Sequence, residues 1–353
     1  VYGDGDVATA ATNGHVYADT PTGEYSWGTL VSRTQNGSSS TTYEWTPSGT
    51  MVADVLMVAG GGAGGYDNAG GGGAGGLIFK PGHTISTSSY TVVVGNGGDK
   101  TDIDTTLGTN GSNTTFDNLV CIGGGKGKNG IISSTLDQSS TSDGGSGGGG
   151  EGERDQSTGG TSTQSSQAGD SGTYGFGNNG GAGKGDDSSS TVRGGGGGGG
   201  GAGTVGGSTT TNTGGEGGDG LNEVTLFGTT YNFSTIFGNS FGESISGEIW
   251  FGGGGGGGNE NSIYTVTSGG DGGGGNGGHD GVDGTMHTGG GGGGATVPEG
   301  THSSGNGGSG IVLLSYQYST TQLTYNTYNK LTVANTSNTN VETNLRLGAN
   351  TWD

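Results

Sequence analysis

Three stretches of six residues or more are glycine and nothing else: Gly194 to Gly201, Gly252 to Gly258 and Gly289 to Gly294. Broken runs such as GGDGGGGNGG surround them, and glycine fills 95 of 353 positions. Such a run buries no side chain, so hydrophobic collapse cannot order it, and each glycine loses more backbone freedom on folding than any other residue. Three structures compete for these tracts. Gly-rich chain with nothing to order it is flexible coil. Tight turns use glycine at positive φ, one or two residues at a time. The third is an extended threefold helix of the polyproline II type, packed side by side so that backbone groups pair between helices. At about 3.1 Å per residue, eight residues of it span roughly 25 Å. Tracts repeatedly framed by strands favour this third structure. In it, N–H···O=C bonds between segments, close dispersion contact and weak Cα–H···O contacts replace apolar burial. The candidate packing glycines are Gly194, Gly197, Gly201, Gly252, Gly255, Gly258, Gly289 and Gly292.

The apolar residues, only 25% of the chain, are gathered into short runs that lead into or out of glycine. They are MVADVLMVAGGGAGG from Met51, GGAGGLIFK at 72–80, YTVVVGNGG at 90–98, LVCIGGGKG at 119–127, EIWFGGGGGGG at 248–258 and GGSGIVLLSYQY at 307–318. Runs of this length, rich in Val, Ile and aromatics and bounded by glycine, predict buried strands and are too short for ordinary helices. Residues 1–50 read as an N-terminal β region, with GEYSWGTLVSRT and TTYEWTPSG as strands and Tyr25, Trp27, Tyr43 and Trp45 alternating. Residues 51–318 form the glycine-rich domain, and 319–353 a Thr/Asn-rich β segment with LTVAN and TNLRL as strands. The fold class is all-β with extensive polyglycine II-like helices: a β-sandwich-like base, a glycine-helix bundle and no α-helical domain. A tail too short for a core of its own predicts fibre-forming contacts with other copies.

With 31 acidic against 10 basic residues and a net charge of -21, the chain repels phosphate backbones and anionic lipid, so no nucleic-acid partner is expected. No apolar run reaches the length of a membrane span, and no membrane insertion is expected. Cys121 alone excludes an internal disulfide and a cysteine-based zinc site. GGGKGKNG and GGAGKGDD lack the spacing and hydroxyl of a phosphate-binding loop, and G-x-G-x-x-G strings arise by chance where glycine is this abundant. His15, His83, His279, His287 and His302 are dispersed. HDGVDGTMH brings Asp280 and Asp283 close to two histidines, but a polar loop accounts for it, and no metal or cofactor is expected. No carboxylate pair or nucleophilic triad stands out, so the chain reads as no enzyme.

Taken in order, VLMVAGGGAGG, GGGAGGLIFKPG, YTVVVGNGG, IGGGKG and GGSGIVLLSY make the stretch from about Tyr43 to Tyr318 resemble the glycine-rich domain of virus and bacteriophage surface and tail-fibre proteins. More loosely, the alternation of glycine runs with short polar loops is similar to polyglycine-helix tail-fibre adhesins, which bind host surfaces through those loops. The resemblance implies a fibre, spike or capsid-associated component at the virion surface, extracellular, as a homo-oligomer with a trimer favoured and other virion proteins as partners. It also implies a host-surface glycan or outer-surface protein as receptor. Candidate contact residues in the loops are Tyr66, Asp67, Asn68, Tyr174, Phe176, Asn259, Tyr264, His279 and His287, together with the polar segment 133–146. Aromatics on short rigid loops give large contact area at low entropic cost, and Asn and Asp offer hydrogen bonds to sugar hydroxyls. A cellular surface adhesin or extracellular filament, and a capsid or fibre cement without a receptor, share these features.

Overall fold

The computed structural model describes residues 15–18, 28–36, 39–47, 49–101, 106–130, 142–152, 157–185, 194–209, 213–259, 266–296, 302–316, 321–325 and 331–335. The strands follow the apolar runs: β1 (His15–Ala18), β2 (Gly28–Asn36), β3 (Ser40–Pro47), β4 (Met51–Val58), β5 (Leu77–Ile85), β6 (Tyr90–Gly95), β7 (Thr114–Phe116) and β8 (Leu119–Cys121). After a short helix α1 (Asp170–Thr173) come β9 (Gly175–Phe176), β10 (Glu223–Leu226), β11 (Thr229–Asn232), helix α2 (Phe233–Phe237), β12 (Glu243–Ile245) and β13 (Glu248–Trp250). The last are β14 (Ile311–Tyr316), β15 (Thr321–Tyr325) and β16 (Leu331–Asn335). As the sequence predicts, the chain is mostly sheet and no helical domain is present among the described residues.

Two five-stranded sheets form the base, in the orders β1-β14-β4-β5-β9 and β2-β3-β6-β7-β8. Both are antiparallel apart from the edge pair β1–β14, and neither closes into a barrel. In β3 every second residue turns inward, so Tyr43 and Trp45 meet Val92, Val94 and Phe116 of their own sheet and Val55, Met57, Ile78 and Val312 of the other. β4 is buried on both faces in its second half: Val55 and Met57 enter this core, while Leu56 and Val58 point the opposite way. That explains the unbroken apolar run, because a strand covered on one face alone would alternate. The second face carries Phe79, Leu77 and Leu313 and is capped by Phe233 and Phe237 of α2 with Val224, Ile249 and Phe251. Phe79 anchors it, with ring centroids 5.1 Å from Tyr231 and 5.5 Å from Phe233. Asn232 caps α2 by accepting the Thr235 N–H at 2.9 Å.

From the N-terminal region, β3 pairs with β6 from Ser40 to Trp45 and fills the shared core. Tyr25, Trp27 and the strand TNLRL lie outside the described residues. LTVAN is β16, which pairs with β15 within the same chain.

His83 sits on β5 with its Nε2 3.1 Å from Asp117 Oδ2. Burial, then the nearby Lys80 charge, hold its pKa below the ordinary value of 6.5 despite that carboxylate. The unfolded chain therefore takes up a proton that the native state refuses as pH falls below about 6.5. Stability from this group is complete above that pH and declines as pH falls toward the depressed native value. Denaturant titrations between pH 7 and about 5 should show a slope that His83→Gln flattens. An unchanged slope in the variant would assign it to other groups. Cys121, buried with its thiol donating to the Met57 carbonyl at 3.4 Å, has its pKa pushed up by burial and is no reactive thiol.

Strands β4, β6 and β8 lead directly into glycine-rich segments that belong to no sheet, and β5 and β14 follow directly from such segments. Here the backbone amides bond to segments far away in sequence, in a regular order. Along residues 69–76, Ala69, Gly72 and Gly75 donate to Ala295, Gly292 and Gly289. Gly70, Gly73 and Gly76 donate to Lys128, Gly125 and Ile122, and Gly71 and Ala74 to Gly197 and Gly200. The pattern repeats every third residue. The carbonyls of the same segment accept from three further segments: from Gly65, Gly62 and Ala59, from Gly258 and Gly255, and from Gly149 and Ser146. The segment is thus bonded to six neighbours, to three as donor and from three as acceptor. Gly194–Gly201 obeys the same rule: Gly196 and Gly199 donate to Gly258 and Gly255, Gly197 and Gly200 to Gly150 and Gly147, and Gly198 and Gly201 to Gly207 and Thr204. A methyl is admitted at particular positions of the array, where Ala59, Ala63, Ala69, Ala74, Ala202 and Ala295 are all buried. Among the described residues no helix is long and apolar enough to cross a membrane.

Candidate functional site

The array leaves few large side chains at its surface, which makes those few conspicuous. Phe227 is 82% exposed. It stands at the tip of the hairpin β10–β11, whose two turn residues, Phe227 and Gly228, have φ of 51° and 84°. Two residues at positive φ make the tight turn that matches strand twist, and such turns normally carry Asn, Asp or Gly at the first place. A phenylalanine there is strained by about 1–3 kcal/mol, and strained residues gather at sites that use them.

Tyr174 meets it. Its ring lies 6.2 Å from that of Phe227 at 76°, edge to face. Tyr174 closes the C-terminal end of α1, is half-buried, and rests partly on the core shared by the two five-stranded sheets. Lys80 Nζ lies 5.8 Å from the Tyr174 ring centroid and is ion-paired with Asp170. Two aromatic rings, one ammonium and one carboxylate therefore share an edge where β5 meets α1. Apolar ring faces beside charged hydrogen-bonding groups suit a ligand with both C–H faces and hydroxyls.

The other loop candidates are distributed differently. Tyr66, Asp67 and Asn68, expected at an exposed tip, are buried at 4%, 2% and 0% exposure. The segment around Asn129 closes over them: Gly130 N–H donates to the Tyr66 and Asp67 carbonyls, and Tyr66 N–H donates to Asn129 Oδ1 at 3.0 Å. Asn259 is likewise buried, at the end of its glycine tract. Phe176 is a strand residue of β9, opposite Leu77, and packs on the second core. Tyr264 and most of the segment 133–146 lie outside the described residues. His287 is half-buried at φ 64°, its N–H donating to Ser309 Oγ. His279 and Asp280 meet His302, which the sequence does not place near them, whereas Asp283 turns to Asn306. Burial would raise the Asp280 pKa, but hydrogen bonds from His302 and the Ser303 N–H outweigh it and hold it low.

Of the packing glycines, Gly194, Gly197, Gly201, Gly255, Gly258 and Gly292 lie in the array, where an added Cβ would strike a backbone carbonyl. Gly252 and Gly289 differ: with φ of 75° and 71° they are the turns by which the chain enters its tracts, and glycine is required there by conformation as well as space. Phe227 is not evident from sequence, although LFGT between two Thr-rich strands, an aromatic where a turn wants a small polar residue, is a signal that could have found it.

No curated protein and no solved structure matches the chain. A family model described as a glycine-rich domain matches residues 37–317, a span that takes in β3 through β14, the hydrogen-bonded array and the Tyr174–Phe227 edge. The chain belongs to the glycine-rich domain family.

Proposed function

We propose that this protein is a non-enzymatic structural component of a virion surface, a fibre, spike or capsid-associated part. In this reading its glycine segments run as polyglycine II-like helices and hold the Tyr174–Phe227 edge toward a host-surface glycan. The observation that carries the reading is the three-residue period of the hydrogen bonds along 69–76 and 194–201, each with six neighbours. A threefold helix points successive amides 120° apart, so it meets each neighbour once per turn. An array bonded in this way resists bending, and a stiff base lets an exposed aromatic bind without paying to order its own loop. The viral setting is supported by the order of strand and glycine motifs from Tyr43 to Tyr318, which resembles that of virus surface proteins.

The test is binding of the full chain to immobilised host-surface glycans, with Phe227→Ala as the variant. Phe227 is exposed, so its truncation should leave the melting temperature within a few degrees while weakening binding at least about tenfold. If the parent chain binds no glycan, and Phe227→Ala particles assemble and attach as the parent does, the adhesive reading fails and a cement role takes its place.

A further inference from the structure

At one margin of the array the chain brings together two histidines and an aspartate from segments separated in sequence. His279, Asp280 and His302 each offer one donor atom, and these atoms lie within 4.8 Å of one another. His302 Nδ1 is 3.1 Å from Asp280 Oδ1. The imidazoles of His279 and His302 have centroids 3.6 Å apart at 66°, closer than the 4.5–7 Å usual for aromatic pairs. Neither ring belongs to a hydrophobic cluster that would force such an approach. Two imidazoles that share a tetrahedral ion have centroids about 5 Å apart, so the rings would swing outward on binding.

From this geometry we infer a binding site for a first-row divalent transition metal ion, zinc foremost, held by His279, Asp280 and His302. Donors 2.0–2.1 Å from a tetrahedral zinc are separated by about 3.3 Å, close to the His302–Asp280 distance, and the third donor needs only a side-chain adjustment. Two imidazoles with one carboxylate select such an ion over calcium or magnesium, which take oxygen ligands. Three protein ligands leave a coordination position for water or for a group from another molecule.

The backbone around the site is already fixed. Gly281 N–H donates to the Ser303 carbonyl at 3.0 Å, Gly284 N–H to the Asn306 carbonyl at 2.8 Å, and Ser303 N–H to Asp280 Oδ1 at 3.2 Å. Asp283 accepts from the Asn306 N–H at 2.7 Å, tying the same two segments together one turn further on. The ligands therefore stand on segments whose separation is set by the array, and binding orders little that is not ordered beforehand. A net charge of -21 raises the local cation concentration besides.

Zinc titration of the full chain by calorimetry should show one saturable equivalent, and cobalt(II) in its place should give visible d–d absorption of a four- or five-coordinate site. His279→Ala and His302→Ala should each weaken zinc binding at least about tenfold, whereas His287→Asn, on the same loop but outside the cluster, should not. Added zinc should raise the melting temperature of the parent chain and not of His302→Ala. Absence of saturable binding by the parent, or binding equally lowered by His287→Asn, would overturn the site. Competition by excess magnesium or calcium would overturn its assignment to a transition metal.

Discussion

Gly72→Val is expected to leave no native protein. Gly72 donates to Gly292 and accepts from Gly255, with all six neighbouring segments of 69–76 drawn close around it. A Cβ there would fall inside the carbonyl oxygen of Gly62 and 2.8 Å from that of Ala63, both backbone atoms that no rotamer change can move aside. Overpacking a core of side chains costs about 1–3 kcal/mol because side chains give way. Here relief requires whole segments to separate, and with them the bonds that each makes at every third residue. The cost should exceed about 4 kcal/mol, a large part of the stability of a typical domain. Gly49→Ala is the matched control, since nothing lies within 4 Å of its added Cβ, and it should change stability by no more than about 0.5 kcal/mol. Chemical unfolding of both variants decides the matter. A Gly72→Val chain that unfolds at the parent's midpoint would mean that the segments are not packed as described.

Amide hydrogen exchange should divide the chain just as sharply. The amides of Gly71 to Gly76 and of Gly196, Gly197, Gly199 and Gly200 lie in buried residues and are bonded to carbonyls of distant segments, so none can exchange by fraying of a local turn. They should exchange only through global opening, with protection of at least about ten-thousandfold. The exposed turn at Ser165 and Ser166 should exchange close to the unprotected rate. Rapid exchange of the tracts would return them to flexible coil, the structure that composition alone suggests.

How far the sequence speaks depends on whether side chains carry the message. The strands were legible because MVADVLMV, LIFK and IVLL announce burial directly, and the alternation of Tyr43 with Trp45 announces a half-buried face. That the tracts pair with one another could be expected from their length and framing. Which segment meets which could not, because the bond from Gly72 to Gly292 involves two residues without side chains and leaves no code in either. The same silence misled the reading of Tyr66, Asp67 and Asn68. A polar triplet between glycine runs looks like a solvated tip, and its cover, the Asn129–Gly130 segment, is unrelated in sequence. His302 joined His279 and Asp280 for a similar reason: the approach is dictated by glycine pairing between 281–284 and 303–306. Phe227 was missed because what sets it apart is a backbone angle.

The every-third-residue rule gives this protein something like a reading frame. Inserting one glycine into 69–76 would turn each later amide by a third of a revolution, so that bonds meant for Gly292 and Gly289 would face the segment holding Gly125 and Ile122. Adding or removing three would keep every amide aimed at its proper neighbour and merely lengthen or shorten the tract. Length variation in such a molecule is therefore cheap in the connecting loops, quantised within the tracts, and blind to side-chain chemistry in both. A scaffold with these rules can exchange the surfaces that it displays while its interior stays in phase.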